Sequence, residues 1–340
     1  MKMTVDIPGH KYHIHIKKGI LQEVAKYVDL DRRVLIVTDD MIPGEYVDAL
    51  QKQCGESYIA TVHAGEPSKC FIYLQFLWNA MMENGFGRKD LVLALGGGVV
   101  GDLAGFAAAT YMRGVDYINI PTSTLSQIDS SIGGKTAINL GDTKNIVGAF
   151  HQPRAVFIDT DLLKTLDDRN FYNGLAEAVK AGMIADEKLF ALLEEMPADR
   201  EQIQEKYIEK IISKALAVKK DIVEQDEKET GLRQILNFGH TLGHAIESAG
   251  ELEGMLHGEA VAVGMLQITE DAAIRERLAA VLDKLHLPTS HDYPAEKLLE
   301  IIGHDKKVSG KKITLVKVNT IGKAELVKTN MEAFKAQLLG

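Results

Sequence analysis

The sequence predicts an α/β amino-terminal domain built on a parallel sheet, followed by a mostly α-helical domain. From about residue 30 to 160, short β-branched runs alternate with helical stretches, the sign of a parallel sheet covered by helices. One of those strands runs directly into a glycine-rich turn that opens a helix. After about Leu166 the pattern changes to long 3.6-residue periods, with few strand-like runs until Ile313 to Val318. At 340 residues the chain exceeds a typical domain of roughly 100–200 residues. Two domains are therefore expected, 1–160 and 161–340, divided by a change of pattern and not by a Pro/Gly-rich linker.

The elements follow in order. Val34 to Thr38 reads as a strand, a helix follows near Glu45 to Gln53, and Tyr58 to Val62 is the next strand. A helix from about Ser68 to Asn84 leads to the strand LVLAL at 91–95, then to a helix after Gly98. Further strands are expected at Tyr117 to Ile120 and Ala155 to Asp159. Helical periods then occupy 169–184, 199–226, 231–249 and 258–277.

Composition narrows the function. The formal charge is −9 with basic and acidic residues interspersed, so no nucleic-acid footprint is present and anionic ligands must be caught by local clusters. The amino terminus lacks the apolar core of a signal peptide, and no run approaches the roughly 18 apolar residues of a membrane span. A cytoplasmic protein with no membrane partner is expected. Cys54 and Cys70 are the only cysteines and form no CxxC, so a metal site here must use histidine and carboxylate.

Gly96-Gly97-Gly98-Val99-Val100-Gly101-Asp102 satisfies G-x-G-x-x-G between a strand and a helix, where bare amides and a helix amino terminus suit a diphosphate. Tight glycine turns also arise for packing alone. Gly65-Glu66-Pro67-Ser68-Lys69 and Pro121-Thr122-Ser123 follow neighbouring strands, and in an open parallel sheet such loops converge on the ligand crevice. Their plainer readings are a solvated helix start and ordinary N-capping. The stretch from Asp129 to Thr136, with Gly133-Gly134-Lys135, followed by Lys144-Asn145, reads as an anion cradle or simply a polar loop with a turn at the glycines. A Walker loop is disfavoured because Ser130 stands where its first glycine belongs.

In the second half, Arg233, Asn237, His240 and His244 are spaced 4, 3 and 4 apart, which places them on one stripe of an α-helix. One core histidine explains a single such residue but not the set. Asn173, Glu177 and Lys180 share another helical face, which by itself reads as a surface salt pair. Together they allow a site of two imidazoles and one carboxylate with open positions. Which histidines serve is left open by spacing. A zincin, which the His240/His244 spacing suggests, is disfavoured because Thr241, not Glu, follows His240.

Taken in order, GEPSK at 65–69, GGGVVGDLAGF at 96–106, YMRG at 111–114, QIDSSIGGKT at 127–136, KN at 144–145, GLAEAVKAG at 174–182, LRQILNFGHTLGHAIE at 232–247, HGEAVAVGM at 257–265 and HDKK at 304–307 resemble the 3-dehydroquinate synthase family over nearly the whole chain. The resemblance implies a Rossmann-like NAD domain, a helical metal-binding domain, an active site between them and a homodimer. Carried over by position, Glu177, His240 and His257 are the expected ligands of zinc or cobalt, with His244 outside the set. NAD is expected at Glu66, Lys69, Gly98, Val99, Val100, Gly101, Asp102, Thr122, Ser123, Lys135 and Lys144. The segment Leu162, Leu163, Lys164 and Thr165 belongs to the same expected set. Substrate is expected at Asp129, Lys135, Asn145, Lys180, Lys219, Arg233, Asn237 and His244, and at Lys306 of the Lys306/Lys307 pair. Arg113 is expected to reach the neighbouring subunit's site. The sequence departs from the family at PTST, 121–124, and LDDRN, 166–170, where PTTLL and LPxRE are usual.

The implied reaction converts 3-deoxy-D-arabino-heptulosonate 7-phosphate to 3-dehydroquinate and phosphate, in the shikimate route to aromatic amino acids. A transient NAD-dependent oxidation acidifies the carbon beside the new ketone, phosphate leaves, the hydride returns, and aldol closure gives the carbocycle. Two anionic ends and a row of hydroxyls call for separate basic clusters flanking a metal, which this chain has. Related sugar phosphate cyclases and metal-dependent glycerol-type dehydrogenases share the plan. The former act on substrates without the carboxylate, and retention of Lys219, Arg233, Asn237 and His244 favours the heptulosonate.

Overall fold

The computed structural model describes all residues except 142, 251–253, 305–311 and 340. The chain forms two compact units, Met1–Asp167 and Asp168–Gly340. Residues 161–167, grouped by pattern with the helical half, belong to the first unit. The reason is packing: the turn Thr160–Thr165 buries Leu162 in the apolar core against the sheet.

The first unit begins with an antiparallel pair, β1 (Lys2–Ile7) and β2 (His10–Ile16). Next come β3 (Arg33–Asp39), α1 (Gly44–Gln51), β4 (Glu56–Val62), α2 (Phe71–Glu83), β5 (Leu91–Gly96), α3 (Gly98–Thr110) and β6 (Asp116–Pro121). A hairpin of β7 (Lys135–Leu140) and β8 (Thr143–Phe150) precedes β9 (Ala155–Ile158). The sheet order is β1-β2-β9-β6-β5-β3-β4, parallel except for β1. Strand alternation splits its side chains between two cores. Leu35, Val37, Val92 and Ala94 pack towards α2 and α3, while Val34, Ile36, Leu91 and Leu93 face the opposite side with Leu50 of α1. Burying each such aliphatic side chain contributes about 1.5–3 kcal/mol.

Four strands of the first unit, β1, β2, β7 and β8, escape the sequence reading. In β1 and β2, short runs carry as much charge and histidine as apolar residues. In β7, the polar character that reads as a loop reflects a hairpin exposed along most of β8. The expected turn is present, with Gly133 and Gly134 both left-handed at φ 94° and 69°, and the strand begins at Lys135 directly after it.

The second unit is helical: α4 (Asp168–Ala185), α5 (Glu187–Glu195), then α6 (Arg200–Gln202), which passes through a π-turn into α7 (Ile208–Gln225). It continues with α8 (His240–Ala249), α9 (His257–Ile268), α10 (Ala272–Lys284) and α11 (Ala295–His304). A β-hairpin, β10 (Lys312–Thr320) and β11 (Lys323–Asn330), and α12 (Met331–Leu339) complete it. Leu242, Ile246, Val263, Leu298, Ile313 and Phe334 form one core joining α8, α9, α11, β10 and α12. Among the described residues no helix is long and apolar enough to cross a membrane.

The single helical stripe expected from Arg233 to His244 does not form. Leu232–Asn237 is a 3-10 turn, Phe238 is non-helical, and Gly239 turns left-handed at φ 77° before α8 starts at His240. The cause is a close helix crossing. A Cβ on Gly239 would lie 2.5 Å from Met265 Cγ and 2.7 Å from the Val261 carbonyl, both on α9. Only glycine meets both demands. Of the four residues, His240 and His244 alone share a helix.

Candidate functional site

In the second unit, Glu177 sits on α4 amid an unbroken buried run from Phe171 to Ile184 and is 2% exposed. Asn173 and Lys180 are also buried on that helix, so the surface-pair reading of Glu177 and Lys180 fails. The Lys180 ammonium lies against Glu177 Oε2. His240 opens α8 and His257 opens α9. The amino terminus of α9 comes close to α4 because residue 258 is glycine: a Cβ there would fall on the carbonyl of Asn173. The Glu259 amide donates to Asn173 Oδ1 at 3.1 Å, anchoring the same approach.

This convergence places His240 Nε2 3.5 Å and His257 Nε2 3.4 Å from Glu177 Oε1. The opposite ring nitrogens are occupied. His240 Nδ1 donates to the Phe238 carbonyl at 3.0 Å, and His257 Nδ1 to Glu247 Oε2 at 3.2 Å. In neutral rings both Nε2 lone pairs therefore face the carboxylate. Neither oxygen of Glu177 accepts a hydrogen bond of sound geometry. Lone pairs gathered in this way repel one another unless a ring proton or a metal cation stands among them, and the ligand atoms of the three residues all lie within 4.8 Å of one another.

The electrostatics have the same sense. Burial opposes charge on His257, but Glu177 and Glu247 outweigh it and lift its pKa to about 9. Burial also opposes ionised Glu177, yet Lys180 and His257 bring it down to about 2. The cluster demands positive charge. His244, Glu247 and His257 form a second group with ligand atoms within 4.8 Å. Because it shares His257 and already engages Nδ1, it reads as an outer layer that orients that ring. The His244 ring stands 5.3 Å from that of His240, edge to face.

Arg233 is 2% exposed and ends a tight loop built on Asp226. Asp226 Oδ1 accepts from the Thr230 amide at 2.9 Å, and Oδ2 from Gly231 and Arg233 amides at 2.7 and 3.0 Å. Burial works against the Asp226 charge, but these donors hold its pKa at about 2. The Arg233 guanidinium donates to the Glu227 carbonyl. Asn237 Nδ2 donates to Glu229 Oε1 at 2.6 Å, and Glu229 is itself left-handed at φ 58°. Lys219 is buried on α7. Lys306 and Lys307 lie outside the described residues.

In the first unit, Gly98, Val99, Val100, Gly101 and Asp102 form the opening turn of α3, whose leading amides have no intrahelical acceptor. Lys69 is 5% exposed and pairs with Asp102 Oδ2 at 2.6 Å. Thr122 is buried at the end of β6, its amide bonded to the Gly96 carbonyl at 3.0 Å. The Ser123 hydroxyl accepts from the Ser126 amide at 3.3 Å, so the capping reading holds for that residue. Leu162 and Leu163 have buried side chains, and Lys164 pairs with Asp161 at 2.8 Å. Thr165 is exposed. Asp129 lies half-buried in the π-turn Ser126–Ser130, and Lys135, Lys144 and Asn145 lie exposed on the hairpin. Arg113 follows α3, exposed and left-handed at φ 70°.

The family model described as 3-dehydroquinate synthase N-terminal matches residues 59–173, and that described as 3-dehydroquinate synthase C-terminal matches 174–308. The curated 3-dehydroquinate synthase of Enterococcus faecalis is 42% identical over 99% of this chain and 98% of its own length. That of Clostridium acetobutylicum is 41% identical over 98% of each. The chain belongs to the 3-dehydroquinate synthase family. It is an enzyme of that family. Among solved structures, 2-epi-5-epi-valiolone synthase from Streptomyces hygroscopicus, bound to NAD⁺ and Zn²⁺, superposes with TM-score 0.89 at 29% identity, covering 96% of each chain. A probable glycerol dehydrogenase from Sinorhizobium meliloti, TM-score 0.63 at 18% identity and covering 96% of this chain and 95% of its own, shares the fold.

Against that family background, three residues contact expected site positions without having been singled out, and a fourth closes a strand at the point where the strand order reverses. Glu247 and Glu229 contact His257 and Asn237. Asp39 ends β3, which pairs with β5 at the point where the strand order reverses, the usual place of a dinucleotide crevice. Asn139 bridges the loop after β4, at Glu66, to β8, at Asn145. Only Asp39 had an available signal, an acidic residue closing a parallel strand. The others are set by tertiary contacts.

Proposed function

We propose that the chain converts 3-deoxy-D-arabino-heptulosonate 7-phosphate to 3-dehydroquinate and inorganic phosphate, using NAD and a divalent zinc or cobalt ion. The buried convergence of Glu177, His240 and His257 carries this reading. Two imidazole Nε2 atoms and one carboxylate are the donor set of a catalytic cation that keeps positions open for substrate oxygens. The turn at Gly98–Asp102 suits a diphosphate, with Lys69 held beside it by Asp102. When bound, NAD⁺ accepts and returns a hydride and the metal polarises a substrate oxygen.

The chain's own residues supply the rest. Glu247 and the Phe238 carbonyl keep the ligand rings in one tautomer and orientation. Lys180, Lys219 and Arg233 are buried cations, Lys180 against Glu177, and their donors suit the two anionic ends of the sugar phosphate. The Asp226 loop holds Arg233 in place by its backbone. Lys135, Lys144 and Asn145 offer donors on the hairpin for NAD or phosphate.

A second copy of the chain completes the assembly in this reading. On α2, Phe71, Ile72, Phe76 and Met82 are exposed at 55%, 76%, 41% and 62%, an apolar stripe that water does not favour. Trp78 of the same helix donates to Thr110 Oγ1 at 3.1 Å, tying that face to the turn bearing Met112 and Arg113. A dimer through this face is to be checked by light scattering.

The activity test uses the heptulosonate phosphate with catalytic NAD⁺ and Zn²⁺ or Co²⁺. Stoichiometric phosphate without accumulating NADH supports the synthase. Net NADH from a simple polyol, or no phosphate, overturns it.

A further inference from the structure

We propose that Asn139 is a positioning residue that links Glu66, in the loop after β4, to Asn145, on the substrate hairpin, so that one carboxamide holds the dinucleotide side and the substrate side in place through two separable bonds. The inference rests on the roles given above to Glu66 and Asn145. Asn139 sits where the β7–β8 register slips, between Ile138 and Leu140, so its backbone is released from the ladder. Its amide donates instead to the Lys69 carbonyl at 2.7 Å. The side chain then makes two directed bonds. Nδ2 donates to Glu66 Oε1 at 2.8 Å, and Oδ1 accepts from the Asn145 amide at 2.8 Å.

The bond to Asn145 has a particular consequence because that residue is left-handed, φ 54°, a conformation asparagine tolerates better than most side chains and which this bond helps to fix. The carboxamide of Asn139 is an acceptor from the Asn145 backbone on one side and a donor to a carboxylate on the other. A carboxamide carries the two functions on separate atoms of one planar group, and Gln is one methylene too long for the observed distances. Glu66 also faces Lys69, which pairs with Asp102 at the head of α3, so the contact continues to the glycine-rich turn.

The two bonds are separable by substitution. Asn139→Asp keeps an acceptor for Asn145 but sets a second carboxylate against Glu66. Asn139→Ala removes both. In the metal-loaded enzyme, NAD affinity is read by calorimetry and turnover by phosphate release at saturating NAD. N139D should weaken NAD about tenfold with turnover within about twofold of the parent. N139A should weaken NAD and also lower turnover about tenfold. Wild-type values in both variants, or parallel losses in N139D with a lowered melting temperature, overturn the coupling. Glu66→Ala and Asn145→Ala are the controls. If E66A leaves NAD affinity unchanged or N145A leaves turnover unchanged, the underlying roles fail. If those controls respond and the Asn139 variants do not, the link alone fails.

Discussion

Replacing Glu177 by Gln tests the central feature directly, because it removes one charge while keeping the shape of a side chain that is 2% exposed. Two effects follow. On the proposed reading a bound cation loses its carboxylate ligand, and Lys180, 3% exposed and seated against that carboxylate, loses its counterion. Breaking a buried pair by removing one partner costs about 3–5 kcal/mol, because the surviving charge stays desolvated. For a domain of this size each kcal/mol lowers the melting temperature by about 2–4 °C, so metal-free E177Q should melt about 10 °C below the parent. Adding Lys180→Met removes the orphaned charge and should recover most of the loss, while metal affinity stays depressed. Calorimetric melting of the metal-free proteins and zinc titration against a chelator separate the two quantities. If E177Q melts with the parent and binds zinc equally well, the assignment of a buried, charge-demanding centre is wrong. If E177Q/K180M recovers zinc affinity together with stability, Glu177 is a structural counterion and not a ligand.

The pH behaviour follows from the same groups. His257, raised from 6.5 to about 9, contributes stability that is complete below pH 6.5 and lost as pH climbs through 9 in the metal-free protein. Metal must displace that proton, so zinc affinity should rise across the same window, and an affinity independent of pH between 6.5 and 9 would exclude the coupling. Glu177, lowered from 4.5 to about 2, contributes stability present above 4.5 and lost as pH falls through 2. Gly239→Ala combines left-handed backbone with a collision against Met265, and should destabilise by about 1–3 kcal/mol or more; an unchanged melting curve would contradict the helix-crossing account. Lys135→Ala and Asn145→Ala should sharply lower phosphate release with metal content intact, and loss of metal in either variant counts against their placement on the substrate side.

Much of the architecture was legible because it repeats locally. Strands β3 to β6 and β9 are short apolar runs bounded by turn residues, and α4 and α7 carry unbroken 3.6-residue periods. Helix α8 was legible as a helix but not in its start. The spacing of Arg233, Asn237, His240 and His244 fits an uninterrupted α-helix, whereas the contact with α9 at Gly239 breaks it. Strands β7 and β8 were missed because β8 is exposed along most of its length, and β1 and β2 because charged and histidine residues alternate with the apolar side chains that packing buries.

By itself the sequence determined the chemistry available: histidine and carboxylate with no usable thiol pair, a glycine turn between strand and helix, and lysines beside bare amides. Local propensity and side-chain identity carry that information, and both are written residue by residue. The tertiary structure decided which of these groups meet. Glu177, His240 and His257 are separated by 63 and 17 positions in the numbering, and they converge because Gly239 and Gly258 let α8, α9 and α4 approach more closely than any side chain permits. The partners that set their charge, Glu247 and Lys180, and the bridge made by Asn139, arise from that packing. No periodicity announces them, because long-range contacts depend on the shape of the folded chain and not on its spacing.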